Sequence, residues 1–272
     1  MTSQIIKTFL TLIFAVSLLL SSCSASSTSL PLPPALSDAA TGKVDVGGYE
    51  LYYICVGEGS PTVILEAGGG RDSTEWELVM LYYQKYTRIC AYDRAGLGNS
   101  DPTSEPRTYA DATRDLHTLL KNAPIEGPYV LVGHSGGGMM VRLYASQYPE
   151  DVAGMVLVDS AHPDMGDRLL AALPPESPGE DESFDTWRQY ATILSSSDGR
   201  GVYAIEGMDM LTSNAQVRAV TSLGDLPLAV VSRSPDNPIL MPGITPLPDE
   251  INIPLIQQWQ DMQTELEGLS TN

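Results

Sequence analysis

Short apolar runs alternate with amphipathic stretches along most of this chain, and their order predicts its fold. Helices are predicted near 73–85, 108–122 and 137–147, with a further one over 254–269. Strands that alternate with helices in this way are typical of an α/β fold, in which helices cover both faces of a mostly parallel central sheet. Seven apolar runs predict the strands, at 43–47, 49–56, 62–66, 88–92, 128–133, 153–159 and 226–232.

Residues 160–225 interrupt this alternation. Proline, acidic residues and methionine are scattered through the segment, and residues 186–194 within it have a helical pattern. We therefore predict a small helical cap inserted between the sixth and seventh strands. Such a cap would cover a site at the carboxyl ends of the strands, although no motif in it indicates a particular ligand.

The sharpest transition in the chain lies where the apolar run 128–132 meets the sequence Gly133-His134-Ser135-Gly136-Gly137. A serine on a tight strand-to-helix turn adopts a strained backbone, and the residues two positions before and after it must be small. Gly133 and Gly137 meet this requirement. We predict that Ser135 is a nucleophile, that the backbone N–H of Gly136 helps to bind an oxyanion, and that His134 has a structural role in the turn.

Two upstream segments support this interpretation. The strand predicted at 62–66 runs into Gly68-Gly69-Gly70, and the strand at 88–92 leads into Tyr92-Asp93-Arg94-Ala95-Gly96, followed by Gly98, Ser100 and Asp101-Pro102. Together with the serine turn, these motifs resemble the α/β-hydrolase superfamily over residues 43–268. The resemblance implies a serine hydrolase that acts on carboxylic esters or related acyl substrates, with Gly68 or Gly69 supplying the second oxyanion donor.

A serine nucleophile also needs a base and an acid that orients the base. The resemblance implies that the acid is Asp236, after the strand at 226–232, or Asp159, at the end of the preceding strand. It implies a histidine after the last strand, but no histidine follows His162. We therefore expect the sequence to stop one strand, one loop and one helix early, before the catalytic histidine, which makes the literal chain a poor enzyme. The alternative function is that of an inactive, surface-anchored binding or relic protein.

The remaining polar residues receive simpler interpretations. His117 is predicted on the solvated side of its helix, and His162 is the one conceivable substitute for the base because it follows the sixth strand. Asp93 and Arg94 are predicted to form a structural ion pair. Gly68-x-Gly70 with Asp93 partly imitates a dinucleotide motif, but Ser73 occupies the third glycine position, so no cofactor is expected.

The first residues predict export. Lys7 and the apolar run 9–20 have the pattern of a signal peptide over residues 1–22, and Leu20-Ser21-Ser22-Cys23 resembles a bacterial lipobox. Cys23 would then be the lipidated N-terminus of the mature protein, residues 23–42 a flexible tether and residues 43–272 the hydrolase domain. The expected location is the cell envelope, anchored to a membrane through Cys23; the alternative is secretion.

Composition adds three expectations. The formal charge of −19 becomes −20 when residues 1–22, which hold one lysine and no acid, are removed, and this disfavours nucleic acid as a partner. Cys55 and Cys90 lie in strands that the resemblance makes neighbours, so either a disulfide or two buried thiols are expected. No spacing of histidine and cysteine predicts a metal site. The expected partners are a small ester or acyl substrate and the membrane that holds the anchor.

Overall fold

The computed structural model describes residues 36, 38–103, 106–196, 206–234 and 247–272. The predicted signal peptide, Cys23, most of the predicted tether and Asp236 lie outside these residues. Within the described part of the chain, no helix is both long and apolar enough to cross a membrane.

Seven described strands form one sheet. They are β1 (Ala40–Asp45), β2 (Glu50–Val56), β3 (Thr62–Glu66), β4 (Ile89–Tyr92), β5 (Tyr129–His134), β6 (Val152–Val158) and β7 (Leu228–Val231). Their order in the sheet is β1-β2-β4-β3-β5-β6-β7. Pairing is antiparallel from β1 to β2 and from β2 to β4, and parallel across the rest of the sheet. The predicted mostly parallel α/β sheet is confirmed.

The first strand begins earlier than its side chains indicate. It starts at Ala40 rather than at residue 43, so the last three residues of the predicted tether belong to the sheet. The register pairs Ala40 with Cys55 and Gly42 with Tyr53. Main-chain pairing with β2 extends the strand through small and polar side chains that have no apolar pattern of their own.

Seven described α-helices accompany the sheet. They are α1 (Glu77–Tyr83), α2 (Tyr109–Asn122), α3 (Gly136–Gln147), α4 (Met165–Ala172), α5 (Glu182–Ile193), α6 (Met210–Arg218) and α7 (Asp249–Glu267). Helices α4, α5 and α6 occupy the interval between β6 and β7 where the cap was predicted. The helix predicted at 73–85 is divided into a 3₁₀ turn, Ser73–Trp76, and α1. Helix α7 starts before the predicted residue 254, since acidic side chains in its first turn favour the N-terminus of a helix.

Two clusters of buried side chains hold these layers together. The first packs α2 against one face of the sheet, with members such as Leu51, Ile64, Leu131, Leu116 and Leu119. The second packs α3 against the cap and α7, with members such as Met140, Leu143, Trp187, Val217 and Trp259. The cap therefore shares a core with the helix that follows Ser135.

A disulfide joins Cys55 of β2 to Cys90 of β4. The two residues are direct partners in the antiparallel register, and their Cα atoms lie 4.1 Å apart. Of the two alternatives that the sequence left open, the structure has the bonded one.

Candidate active site

Ser135 occupies a strained turn between β5 and α3. Its backbone angles are φ 48° and ψ −120°, a conformation that residues with side chains rarely adopt. Two hydrogen bonds hold it there, one to the end of β6 and one to the segment that follows β6. The N–H of Ser135 donates to the carbonyl oxygen of Val158 (3.1 Å), and the N–H of Ala161 donates to the carbonyl oxygen of Ser135 (2.9 Å). Contacts with the neighbouring strand and the segment after it thus hold Ser135 in its strained conformation.

The glycines around Ser135 leave no room for side chains. A Cβ on Gly133 would lie 2.7 Å from the carbonyl oxygen of Gly137. A Cβ on Gly137 would lie 2.5 Å from the carbonyl oxygens of Glu66 and Ala67. Because these neighbours are backbone atoms, they cannot swing away as a flexible side chain could. The turn therefore requires glycine two positions before and two positions after the serine.

A second turn, residues 67–70 after β3, faces Ser135; we call it the glycine loop. A Cβ on Gly68 would lie 3.6 Å from Ser135 Cβ. The N–H of Gly68 donates to Glu75 Oε2 (2.8 Å), and the N–H of Gly70 donates to Glu206 Oε1 (2.7 Å). In the described part of the chain, the Gly69 N–H has no acceptor. Of the two glycines predicted as oxyanion donors, Gly69 has its N–H available and Gly68 does not.

Glu75 links the glycine loop to the serine turn. Its Oε1 lies 3.1 Å from Nδ1 of His134, and its Oε2 accepts the Gly68 N–H. Burial raises the pKa of Glu75, but hydrogen bonds from His134 and from Gly68 outweigh that effect, so the pKa is lowered overall. The edge of the His134 ring also meets Trp76, with ring centroids 6.4 Å apart. His134 thus packs within the turn. Sequence reasoning missed Glu75 because it belongs to none of the motifs.

The predicted ion pair between Asp93 and Arg94 is wrong. The carboxylate of Asp93 accepts the backbone N–H groups of Ser73 and Asn99, each at 2.8 Å. Arg94 instead pairs with two buried carboxylates, those of Glu66 and Glu206. Asp93 is therefore held by backbone N–H groups, whereas the buried guanidinium of Arg94 is already matched by two carboxylates.

Asp159 lies at the end of β6 with a positive φ of 44°. Its Oδ1 accepts the indole N–H of Trp259 (2.8 Å), and its Oδ2 accepts Nε–H of Arg233 (2.8 Å). The carboxylate therefore accepts hydrogen bonds from Trp259 of α7 and from Arg233, which lies just after β7. Asp236, the other predicted acid, lies outside the described residues.

The other two histidines are both partly or largely buried. His162 Nδ1 accepts the backbone N–H of Asp164 (3.2 Å), and its Nε2 lies 3.4 Å from Glu265. Burial lowers the pKa of His162 to about 4, which makes it a weak base. His117 is half-buried rather than fully solvated, because its ring stacks on Tyr148 with centroids 3.7 Å apart.

The described residues thus contain a strained serine, the backbone N–H of the adjacent Gly136, and the N–H of Gly69 in the loop that faces the serine. The Gly136 N–H is the first of α3, where intrahelical acceptors are absent. The Ser135 hydroxyl makes no hydrogen bond to any described side chain. No group of three or more His, Cys, Asp or Glu within the described residues could hold a metal ion. The arrangement is suited to attack on a carbonyl carbon, with stabilisation of the oxygen by backbone amides.

Comparison with known proteins extends this description. A Bacillus subtilis protein, YqjL, is 36% identical over 120 residues, which are 44% of this chain and 46% of that protein. A proline iminopeptidase of Lactobacillus helveticus is 35% identical over 124 residues, 43% of this chain and 42% of the relative. The chain spans less than half the length of the curated relatives it matches.

The solved structure of an alpha/beta hydrolase fold protein from Chitinophaga pinensis has a TM-score of 0.50 and 20% identity, covering 72% of this chain and 80% of that one. At this identity the likeness concerns the fold alone. Residues 61–204, more than half of the chain, match the family model described as alpha/beta hydrolase fold. The chain belongs to the alpha/beta hydrolase family.

Proposed function

We propose that this protein is a serine hydrolase acting on carboxylic esters or related acyl substrates. The observation that carries the proposal is the strained Ser135, at φ 48°, beside two backbone N–H groups without acceptors among the described residues. Ser135 Oγ would attack the carbonyl carbon, and the N–H groups of Gly69 and Gly136 would hold the resulting oxyanion. A relative named for a peptidase activity supports acyl chemistry of this kind.

The proposal requires a base and an acid. A histidine would accept the proton of Ser135 as the C–O bond to the substrate forms, then give it to the leaving group. Asp236 or Asp159 would be the acid that orients this histidine. Asp236 is the simpler candidate, because Asp159 would have to exchange its hydrogen bonds from Arg233 and Trp259.

A second candidate function is ligand binding without turnover. It is favoured by one observation: the Ser135 hydroxyl has no hydrogen bond to His117, His134 or His162, all of which lie in the described part of the chain. A serine without a base retains only the roughly 10³ to 10⁴-fold advantage over water that binding and the oxyanion donors supply.

A fluorophosphonate probe separates the two functions. We expect the probe to label the wild-type chain and Ser146→Ala, a control on the same helix, and to leave Ser135→Ala unlabelled. If only the base is lacking, added 4-methylimidazole should raise the labelling rate and the hydrolysis of p-nitrophenyl butyrate. Absence of labelling at Ser135 with and without the imidazole would exclude the hydrolase and favour the binding protein.

We also propose that the protein is exported and held at a membrane by a lipid on Cys23. The apolar run 9–20 and the lipobox-like sequence before Cys23 support this location.

A further inference from the structure

A buried ion-pair cluster lies beneath the glycine loop, and its central member is Arg94. Arg94 Nη1 lies 2.6 Å from Glu66 Oε1, and Arg94 Nε lies 2.5 Å from Glu206 Oε2. The Arg94 side chain is 3% exposed and that of Glu206 is fully buried. Glu66 comes from the end of β3, whereas Glu206 comes from the cap, between α5 and α6. The cluster thus joins the cap to the sheet.

The same cluster fixes the polar groups of the glycine loop. Arg94 donates to the carbonyl oxygens of Ala67 (2.8 Å) and Gly68 (2.7 Å). Glu206 Oε1 accepts both the Gly70 N–H (2.7 Å) and Nη2–H of Arg94 (2.9 Å). One carboxylate of the cap therefore binds the loop directly and also the guanidinium that holds the loop from below.

These contacts isolate one amide of the loop. The Gly68 N–H is held by Glu75 and the Gly70 N–H by Glu206, so, of the three glycines, Gly69 is the one whose N–H has no acceptor among the described residues. Because the groups on both sides are fixed, the direction of the Gly69 N–H is fixed as well. An oxyanion donor is effective only if it is oriented before the charge develops.

Energetics favour a positioning role over a merely stabilising one. Burying three charged side chains costs more free energy than an ion pair usually returns, and apolar residues could fill the same volume at least as well. The pKa of Glu66 is raised, because burial outweighs the hydrogen bonds from Arg94 and Tyr92. Directed hydrogen bonds to the loop carbonyls and to Gly70 are what an apolar replacement could not supply.

We propose that Arg94 and Glu206 are positioning residues that aim the Gly69 N–H at the oxyanion formed on Ser135, so that the cap contributes Glu206 to the catalytic geometry. The inference rests on the proposed serine hydrolase function. It assigns no chemical step to either residue; both act through the backbone of the glycine loop.

The test compares Glu206→Ala and Glu206→Gln with the wild-type chain. Glutamine keeps an oxygen acceptor for the Gly70 N–H but loses the charge that pairs with Arg94, whereas alanine loses both. The matched control is Glu180→Gln, which removes the charge of another cap carboxylate paired with an arginine, Arg188, with no contact to the glycine loop. Circular dichroism establishes that each variant is folded, and Glu206→Gln carries the test if Glu206→Ala is not.

Two readouts decide the outcome. Amide hydrogen exchange, resolved to single residues by NMR, should show about 10-fold less protection of Gly70 in Glu206→Ala, with a smaller change for Gly68, because Glu75 still holds it. Hydrolysis of p-nitrophenyl butyrate, measured with added 4-methylimidazole, should show kcat lowered about 10-fold with KM little changed, since loss of a whole oxyanion donor costs roughly 10² to 10³-fold. Glu180→Gln should change neither readout, and Glu206→Gln should fall between.

Unchanged protection of Gly70 in Glu206→Ala would overturn the inference. Lost protection with an unchanged kcat would also overturn it, because Glu206 would then be merely structural. If wild-type Ser135 fails to react with the fluorophosphonate probe both with and without 4-methylimidazole, the proposed function fails on its own, and exchange at Gly70 still decides whether Glu206 holds the loop.

Discussion

Ser135 and Asp159 are the two residues other than glycine with a positive φ in the described part of the chain. Conformations of this kind cost on the order of 1–3 kcal/mol each and persist where the surroundings enforce them. Both residues lie at the carboxyl ends of adjacent parallel strands, β5 and β6, and backbone hydrogen bonds connect the two turns. Their strain is located where the proposed chemistry takes place.

The buried His162 predicts how stability depends on pH. Burial lowers the pKa of this imidazole from 6.5 to about 4; Arg168 and Arg142 act in the same direction, against Asp164 and Glu265. Between pH 6.5 and 4 the unfolded chain binds a proton here that the folded chain does not. Stability therefore falls as the pH falls through this window, by about 2 kcal/mol between pH 7.5 and 5.

Urea unfolding at these two pH values measures the effect. His162→Asn supplies an oxygen for the Asp164 N–H and cannot titrate, so its free energy of unfolding should change less with pH by about that amount. The same substitution at His117, whose pKa burial also lowers but whose side chain is more exposed, should reduce the dependence less. An equal pH dependence in His162→Asn and the wild-type chain would refute the prediction.

The residues of the serine turn could be predicted from the sequence, whereas the acidic residues that support it could not. Ser135, Gly133 and Gly137 stand in a local motif whose steric requirement follows from the turn itself, and the sequence alone singled them out. Glu75 and Glu206 could not be found that way. Glu75 is 59 positions from its partner His134, and Glu206 is 112 positions from Arg94. Long-range pairs of ordinary acidic residues leave no periodic or local signal.

At the level of elements, the buried parallel strands were the most predictable. The predicted strand at 62–66 coincides with β3, whose five residues are all buried, because continuous apolar runs are required where both faces of a sheet are covered. The edge strand β1 was placed less well, since its exposed residues alternate weakly and its start depends on pairing with β2. Helix α7 begins at Asp249, before the predicted residue 254, because the prediction did not use the acidic residues that precede its apolar pattern.

The disulfide between β2 and β4 predicts a large contribution to stability. It closes a loop between residues 35 positions apart in sequence, and cross-links of this size contribute about 4 kcal/mol by restricting the unfolded chain. The double substitution of Cys55 and Cys90 by alanine should lower the free energy of urea unfolding by that amount. The wild-type chain after reduction is the second comparison. A loss below about 1 kcal/mol in both cases would mean that the bridge adds little to the hydrogen bonds of the two strands.

At the scale of the whole molecule, the cap is packed as part of the core and not as a separate lid. Its helices share a buried cluster with α3 and α7, and Glu206 ties it to the glycine loop. Substitutions in the cap are therefore expected to alter the catalytic geometry as well as the choice of substrate.

The net charge of −19 disfavours binding to anionic membrane surfaces, because like charges repel. Net charge therefore gives no support for a membrane location, and the proposed location depends on the lipid at Cys23.

Lipid attachment can be tested on the whole chain, expressed in a bacterium with its own lipoprotein machinery. We expect the wild-type protein to incorporate labelled palmitate and to enter the detergent phase of Triton X-114, since each buried CH₂ of an acyl chain contributes about 0.8 kcal/mol to membrane binding. Cys23→Ser should incorporate no label and remain in the aqueous phase. The double replacement of Cys55 and Cys90 by serine is the control and should keep the label, because those cysteines lie in the sheet. Mass spectrometry of the mature N-terminus can contradict the prediction. An unmodified chain that begins at a residue other than Cys23 would indicate a cleaved signal peptide and secretion.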